Sequence, residues 1–409
     1  MYQFRNQLRA EESIKYIVLA YAFVLPLSRA GISIFTAALF ILWLLAPNLK
    51  QRFFIVLNNK VILSVMLFMA FSLISLIWSE NITRGLLNFK HYWFILPIFV
   101  FATNIKKEQT SKIISAFLLG MMVSEIISYG IFFQVWTFGH GTPQDPSPFM
   151  HHIHYSIFLA VTSLLLLNRF YFETASKWKI FYFIYFLFTT SNLFINGGRT
   201  GQLGFIVGIF VVGIVNMKNK FVALFSILLL VIAIGTVAYK FSPTFQNKVA
   251  QTSQTITDIQ DGKSNMYSTS FGARLGLWIV GEKIFLAHPI IGVGLGSEMD
   301  ALHHKIDTDM PQFRDTPVYT LPHYHNSYVT YLVQLGLIGF LLFISIFYHI
   351  AQLKIDNKQF NNLKFIFLTV FMIGCFFEQI FAAEFPMALF ALFIGVFLAS
   401  SQNNKLLNS

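Results

Sequence analysis

The sequence predicts an all-α protein that crosses a membrane many times, and two observations lead to this prediction. Hydrophobic residues make up 56% of the 409 residues and charged residues only 11%, against about a quarter charged in a soluble domain. The apolar residues, 48 of them phenylalanine, are gathered in long runs along the chain. A water-soluble fold needs charged and polar groups over much of its exterior, so this composition excludes that class.

Twelve apolar runs qualify as transmembrane helices, since about 20 apolar residues span the roughly 30 Å bilayer core. The first two runs, 14–29 and 31–46, meet just after Pro26 and are predicted to form a tight helical hairpin. The other ten runs are 60–78, 91–103, 111–136, 151–168, 180–195, 201–216, 221–240, 326–350, 365–381 and 386–400.

Basic residues are distributed unevenly between the two sides of this membrane protein. With an even number of helices both termini lie on one side, whose tails and loops hold 18 of the 29 Lys and Arg residues. The short loops of the other side hold only Arg29, Arg84, Lys90 and Arg199. Because basic loops stay in the cytoplasm, we expect cytoplasmic termini. The first helix follows a basic stretch and lacks an Ala-x-Ala cleavage site, which indicates an uncleaved anchor.

A long loop divides the chain into three parts. Residues 1–240 contain transmembrane helices 1–9, residues 241–325 form the loop between helices 9 and 10, and residues 326–409 contain helices 10–12 with a short cytoplasmic tail. The loop faces away from the cytoplasm. Structureless loops beyond about 12–15 residues are uncommon unless they are functional, so we expect the active residues to lie in or near it.

The composition of this loop changes along its length. Residues 251–270 are rich in Thr, Ser, Asp and Gln, and we expect them to be mobile. Residues 271–288 place apolar side chains among polar ones and stop at Pro289. This pattern is typical of an amphipathic helix that lies against the membrane surface.

Two arginines on the outer face are candidates for an anion site. Arg199 lies in the turn Asn-Gly-Gly-Arg-Thr-Gly at 196–201, where glycines let a ligand approach the backbone and Thr200 can cap the next helix. A guanidinium beside a helix N-terminus is a natural phosphate site; the alternative is an arginine that binds lipid headgroups. Arg274 precedes Trp278 by one helical turn, so a simple cation–π stack would also explain it.

His325 is the candidate general base. Asn326 or Ser327 can cap the helix that follows, which places the imidazole at the positive end of the helix dipole. That field favours the neutral imidazole, the form that a base must have. The alternative is an interfacial histidine without a catalytic role, and the neighbouring His323 is a second candidate for the same place.

Other residues on the outer face are weaker candidates. Arg84 and Lys90 can attract an anionic substrate or lipid headgroups. The His-rich stretch Met-His-His-Ile-His-Tyr at 150–155, which includes His154, has metal-binding side chains, but we find no matching carboxylates near it in sequence and favour an interfacial role. The glycine-rich stretch at 292–296 is similar to a nucleotide loop; because it lies outside the cytoplasm, we interpret it as a turn.

Three ionisable or reactive side chains fall inside apolar runs. Glu125 and Glu378 are functional suspects because carboxylates are costly within a membrane, and we expect Glu378, near the outer end of its helix, to pair with an arginine of the site. Cys375 is the one cysteine, which excludes intrachain disulfides, CxxC redox chemistry and thiolate metal sites. The net charge of +11 follows mostly from the topology, so we infer no nucleic-acid partner.

Three motifs together resemble those of the bacterial O-antigen ligase and polymerase superfamily. The first is Gly-Arg-Thr-Gly at 198–201, which opens a helix. The second is Arg-Leu-Gly-Leu-Trp at 274–278 with the stretch His-Pro-Ile-Ile-Gly-Val-Gly-Leu-Gly at 288–296. The third is His-Asn at 325–326, followed after nine residues by Gly-Leu-Ile-Gly at 336–339. Each motif is degenerate, but three in this order with this topology are specific to the superfamily.

The resemblance implies a metal-independent, inverting glycosyltransferase of the GT-C-like membrane type that needs no cofactor. It would act at the periplasmic face of the bacterial inner membrane, with a glycan on undecaprenyl diphosphate as donor and a sugar of lipid A–core as acceptor. Carried over by motif, Arg199 and Arg274 would hold the diphosphate and His325 would activate the acceptor hydroxyl. The further candidates for substrate binding are Arg84, Lys90, His154, His323 and Asn326.

Within the superfamily we favour a ligase over a polymerase or a protein O-oligosaccharyltransferase. The outer loop at 137–150 contains no arginine, whereas some polymerases carry paired arginine motifs, and no soluble extension follows the last helix. Against this, Phe340 and Leu341 stand where the ligase motif often has Thr-Thr, so the polymerase stays an alternative. A lipid or solute transporter is the alternative from another class, but we find neither similar halves nor broken helices.

Overall fold

The computed structural model describes residues 2–216, 219–260 and 264–401, and within these ranges it contains helices and no β-strand. The helices of the first half are α1 (Tyr2–Val24), α2 (Arg29–Leu45), α3 (Leu49–Asn58), α4 (Lys60–Ile74), α5 (Ile82–Phe89), α6 (Pro97–Asn104), α7 (Thr110–Phe132), α8 (His152–Phe172) and α9 (Ser176–Ile195). The second half contains α10 (Arg199–Asn216), α11 (Lys220–Phe241), α12 (Pro243–Gln260), α13 (Ser270–Ala287), α14 (Glu298–Asp309), α15 (Pro317–Thr320), α16 (Ser327–Ala351), α17 (Lys358–Phe377) and α18 (Glu384–Ser401).

Ten helical segments of the described chain are long and apolar enough to cross a membrane, and the bent pair α2–α3 raises this number to eleven. The prediction of an all-α polytopic membrane protein is confirmed, but the N-terminus differs from the predicted twelve spans. There α1 begins at Tyr2 and carries four charged residues in its first half, and α2 has only 17 residues before a bend of 115°. The hairpin between α1 and α2 is present, and Ser28 caps α2 by accepting a hydrogen bond from the Gly31 N–H at 3.0 Å.

Two helices form the centre of the bundle. Buried residues run without interruption from Phe385 to Ser400 along α18, and α8 packs against α9, α10 and α17. Between α17 and α18 the rings of Phe367 and Phe393 stack with centroids 4.6 Å apart. Within a membrane, close side-chain packing rather than exclusion of water holds helices together. This aromatic core therefore fixes the positions of α10 and α17, whose ends reach the candidate site.

Residues 241–325 fold into several helices. Residues 261–263 lie outside the described ranges. We expected residues 251–270 to be mobile, and much of this stretch is helical. It contains the end of α12 and a 3-10 turn at 264–268. The physical reason is tertiary, since α12 packs against α9 and α13. The Thr255 hydroxyl donates a hydrogen bond to the Thr269 oxygen at 3.0 Å, which joins α12 to the start of α13.

The predicted amphipathic helix is present as α13, but it has two apolar sides. One side buries Leu277, Val280 and Ile284 against residues of α14 and the segment before α16. The other side leaves Ile279 and Leu286 exposed, at 36% and 58%. Because one side of α13 is buried against other parts of the protein, these contacts hold the helix in place. Contacts of its exposed side with lipid are not needed for this.

The glycine-rich stretch that we interpreted as a turn is also a docking segment. The Gly294 N–H donates a hydrogen bond to the Gln334 carbonyl at 2.8 Å, inside α16. There α16 is kinked at Gly336, whose φ is 61°, and a Cβ at Gly336 would lie 2.4 Å from the Ile290 carbonyl. Only glycine permits this approach and this backbone conformation. The second and third sequence motifs thus interlock and fix the loop on α16.

Candidate active site

Four residues from four distant segments converge at one end of the bundle. Arg199 begins α10 and Arg274 lies in the second turn of α13, and both line a cavity of about 230 Å³, here called the arginine cavity. His325 immediately precedes the α16 cap, and Glu378 follows α17. The Glu378 carboxylate is 2.9 Å from His325 Nδ1 and 3.9 Å from the Arg274 guanidinium. The structure therefore brings together all three residues that the motifs predicted as catalytic.

The turn that carries Arg199 is held against α8. Gly201 donates its backbone N–H to the Ser156 hydroxyl at 3.0 Å, and a Cβ at Gly198 or Gly201 would collide with Ser156. Only Gly197 faces open space. The expectation that these glycines admit a ligand is therefore wrong for two of the three, because they admit a neighbouring helix instead. Arg199 Nη1 donates a hydrogen bond to Thr252 Oγ1 of α12 at 2.8 Å.

Arg274 points toward Glu378 rather than toward an aromatic ring. The indole N–H of Trp278, its expected stacking partner, donates to the Tyr324 carbonyl at 3.0 Å. Burial lowers the pKa of Arg274, and the Glu378 carboxylate opposes this effect. Because an arginine stays charged at any accessible pH, burial leaves the Arg274 guanidinium charged but poorly hydrated. A poorly hydrated cation favours the binding of an anion.

The backbone at His325 is in an unusual conformation. Its φ is 47°, in the left-handed region that non-glycine residues rarely adopt and that is often found at functional sites. The conformation is held on both sides. Tyr324 is fully buried, with its hydroxyl donating to the Glu298 carbonyl at 3.2 Å. Asn326 caps α16 as predicted, accepting hydrogen bonds from the N–H groups of Tyr328 and Val329 at 2.9 and 3.1 Å.

The hydrogen bond to Glu378 determines which nitrogen of His325 can act as a base. An ionised carboxylate only accepts, so His325 Nδ1 carries the proton and Nε2 keeps its lone pair. Burial alone would raise the pKa of Glu378, but the hydrogen bond from His325 and the nearby histidines lower it to about 2. The carboxylate is therefore ionised at neutral pH and orients the imidazole, as the acidic residue of a catalytic triad does.

His323 lies beside this pair and is neutral at physiological pH. Its ring centroid is 4.0 Å from that of His325, and burial lowers its pKa to about 4. Its Nδ1 accepts the backbone N–H of His325 at 3.2 Å, so this nitrogen carries no proton although it is 3.6 Å from Glu378. His323 supports the strained backbone at His325 and remains the second candidate for the base.

Three side chains of this cluster could hold a metal ion. Ligand atoms of His323, His325 and Glu378 lie within 4.8 Å of one another. A cation there would have to replace the hydrogen bond between His325 and Glu378, and it would sit close to the positively charged Arg274. These two features favour the hydrogen-bonded pair over a metal centre, and chelation tests the point directly.

The weaker candidates are not all apart from this cluster, because Lys90 lies in another cavity whereas His154 is close enough to Glu378 to interact with it electrostatically. Arg84 donates a hydrogen bond to the Pro322 carbonyl at 3.3 Å, just before His323. Lys90 lines a separate cavity with Arg29, His91 and Glu384. Asn326 is buried and occupied by its capping role. His154 lies in the first turn of α8, with its ring 6.1 Å from that of His151.

The His-rich stretch has a carboxylate partner, contrary to expectation. Asp145, seven residues before His152 and in the same outer loop, places its Oδ2 3.0 Å from His152 Nδ1. His152 also lines the arginine cavity. The sequence contained the signal, a loop aspartate just ahead of the stretch, but the pairing depends on a tight turn in which Thr142 and Asp145 exchange backbone hydrogen bonds.

Comparison with known proteins bears on this cluster. Residues 184–344 match the family described as O-antigen ligase. This part of the chain is similar to the O-antigen ligase family. An uncharacterized protein of Haemophilus influenzae is similar as well, with 24% identity over 320 residues that cover 76% of this chain and 78% of the relative. The resemblance drawn from the three motifs is confirmed, and the family is one of glycan transfer by the ligase and polymerase type.

The residues that match the O-antigen ligase family include Arg199, Arg274 and His325, whereas Glu378 lies beyond them. The sequence drew attention to Glu378 as a carboxylate at a helix end and expected an arginine partner, which the contact with Arg274 supports. Its hydrogen bond to His325 was missed, because 53 residues separate the two and only the packing of α16 against α17 brings them together.

Replacing Glu378 tests its positioning role. Glu378→Gln removes the charge that holds His325 in one tautomer, so we expect kcat to fall about 10²- to 10⁴-fold, as for the acidic residue of other triads, with little change in the KM for the donor. The measurement is transfer by the purified protein. Glu282→Gln, an exposed residue of α13, is the matched control. Unchanged kcat in Glu378→Gln protein would show that His325 needs no orienting carboxylate.

Proposed function

We propose that the protein is an O-antigen ligase that transfers a glycan from undecaprenyl diphosphate to a sugar hydroxyl of lipid A–core, at the periplasmic face of the inner membrane. The observation that carries the proposal is the convergence of two half-buried arginines and a carboxylate-bound histidine, all at one end of the bundle.

The reaction is a single displacement at the anomeric carbon. The acceptor oxygen forms a bond to that carbon, and the bond from the carbon to the diphosphate oxygen breaks, with the leaving diphosphate keeping the electron pair. His325 Nε2 takes the proton of the acceptor hydroxyl. Attack opposite the leaving group inverts the anomeric configuration. General-base assistance of this kind is worth typically 10²- to 10⁴-fold in rate.

The arginine cavity suits a lipid diphosphate. Its described lining contains Arg199 and Arg274 but no Asp or Glu, so its field is positive. Guanidiniums form bidentate hydrogen bonds with phosphate oxygens and stabilise the charge that grows on the leaving group. Leu203, Phe271 and Phe377 supply an apolar wall, which matches the isoprenoid chain next to the diphosphate.

The basic asymmetry of the loops supports the placement of the site. The end of the bundle with His325 is opposite to the loops rich in Lys and Arg, which stay in the cytoplasm by the positive-inside rule. We therefore propose that the site faces the periplasm. A lipid-linked donor explains why the residues lie where helices begin and end, at the level of the headgroups.

The test of the proposal is the lipopolysaccharide of cells that lack this protein, together with their pool of undecaprenyl-linked glycan. We expect bare lipid A–core and an accumulated lipid-linked polymer. Core that carries a single repeat unit would instead assign the protein to the polymerase branch. An unchanged lipopolysaccharide pattern with an unchanged lipid-linked pool would overturn both branches and return attention to a transporter.

Chelation distinguishes the arginine mechanism from a metal mechanism. We expect purified protein to keep its transfer activity in excess EDTA, because the arginines stabilise the leaving group and Glu378 is engaged by His325. The measurement is the initial rate before and after chelation and dialysis. Complete loss of activity that a single divalent ion restores would mean that His323, His325 and Glu378 hold a metal.

A further inference from the structure

The arginine cavity has a third polar wall that the motifs do not include. His152, at the start of α8, lines the cavity together with residues of α10 and α13. Its Nδ1 is 3.0 Å from Asp145 Oδ2. Because the ionised carboxylate only accepts, Nδ1 carries a proton and Nε2 is the nitrogen left for a ligand.

Asp145 is fixed by hydrogen bonds that reach the turn of Arg199. The Ser147 hydroxyl donates to Asp145 Oδ1 at 2.7 Å, and the Asn196 amide donates to the Ser147 oxygen at 2.7 Å. Asn196 Oδ1 in turn accepts the backbone N–H of Gly198 at 3.0 Å. This chain of contacts joins the outer loop and His152 to the backbone of the turn that carries Arg199.

The charge of Asp145 persists at neutral pH. Burial would raise the pKa of its carboxyl, but the hydrogen bonds from His152 and Ser147 outweigh burial and lower it. An ionised partner at Nδ1 stabilises the imidazolium form of a histidine. A phosphate oxygen at Nε2 would do the same, because it is an anionic acceptor that requires an N–H donor. An anion at Nε2 would therefore contact a histidine whose other ring nitrogen is held by Asp145.

We propose that His152, held by Asp145, is a third hydrogen-bond donor to the diphosphate of the lipid-linked substrate, beside Arg199 and Arg274. A single phosphate offers one centre of charge, which two guanidiniums can satisfy. A diphosphate has a second phosphate, and a donor on another wall of the cavity can reach it. His152 therefore contributes to the choice of a diphosphate over a monophosphate lipid. This inference rests on the proposed function, since it concerns the same donor.

The experiment compares the binding of two lipids to purified full-length protein in nanodiscs, farnesyl diphosphate and farnesyl monophosphate, by calorimetry or thermophoresis. We expect the unmodified protein to prefer the diphosphate. His152→Gln should weaken diphosphate binding about 10- to 100-fold, the size of one charge-assisted hydrogen bond, and change monophosphate binding much less. Asp145→Asn should act in the same direction with a smaller effect, because Asp145 positions His152 without touching the ligand.

The control is His140→Gln, which changes an exposed histidine of the same outer loop; we expect it to bind both lipids as the unmodified protein does. The inference is overturned if His152→Gln keeps the diphosphate preference while Arg199→Ala loses it, and the proposed function then stands. The inference is also overturned if His152→Gln weakens the binding of both lipids equally, because a purely structural role of His152 would give that result. If the unmodified protein shows no preference for the diphosphate, the proposal of a diphosphate-linked glycan substrate is contradicted. The inference about His152 is then contradicted with it.

Discussion

His325→Ala protein should insert into the membrane normally and lose transfer activity by at least about 10²- to 10⁴-fold, the usual contribution of a general base. The substitution removes Nε2, which in the proposed reaction takes the proton of the acceptor hydroxyl. It also removes the imidazole N–H that donates to the buried Glu378 carboxylate. The measurement is single-turnover transfer by purified protein with a lipid-linked donor. The loss should lie in the chemical step, so donor binding should stay within a few-fold of the unmodified value.

Two comparisons make this prediction specific. His304→Ala changes an exposed histidine on α14 and should transfer normally. His323→Ala removes the acceptor for the His325 backbone N–H and should cause a smaller loss, because it loosens the base without removing it. If His323→Ala abolished transfer and His325→Ala retained it, the base would be His323.

Arg199→Ala and Arg274→Ala should each lower kcat about 10²- to 10³-fold, the cost of one group that stabilises developing charge, and should also weaken donor binding. Arg→Lys at either position should give an intermediate result, since lysine keeps the charge but cannot form the bidentate pair. The measurement is kcat and the KM for the donor, with the abundance of folded protein determined in parallel. The double variant should lose less than the product of the two effects, because both groups contact the same diphosphate.

The two arginines should differ in one respect. Arg274 also approaches Glu378, at 3.9 Å, so Arg274→Ala should change the pH dependence of kcat through the Glu378–His325 pair, whereas Arg199→Ala should not. Arg314→Ala, an exposed arginine paired with Asp307, is the matched control and should be fully active. Normal kcat in both Arg199→Ala and Arg274→Ala protein would contradict the electrostatic mechanism.

The helices and several of the site residues could be read from the sequence because their signals are local. Ten of the twelve predicted spans overlap the ten membrane-crossing segments of the described chain, since a run of apolar residues is a local property. The Asn326 cap is likewise decided by adjacent residues. Neighbours in space decide other features, such as the packing of α12 on α9 and α13, which the polar composition of 251–270 did not indicate.

The glycines show the same division. The sequence shows that the motifs contain glycines, but it does not show what the glycines are close to. We expected Gly198 and Gly201 to let a ligand approach, but they allow the close approach of α8. Gly336 produces a kink in α16, and the glycine-rich stretch packs against this kink. A missing Cβ marks a close approach, and only the three-dimensional arrangement shows which part of the molecule approaches.

By itself the sequence determined that this is a polytopic helical membrane protein similar to the O-antigen ligase and polymerase superfamily, and it predicted Arg199, Arg274 and His325 as catalytic residues. The tertiary structure decided which residues lie beside them: Glu378 contacts His325, and Asp145 contacts His152 in the lining of the arginine cavity. The physical reason is range. Hydrophobicity, capping and motifs act over a few residues, whereas the pairing of His325 with a carboxylate 53 positions away depends on how α16 and α17 pack in the finished bundle.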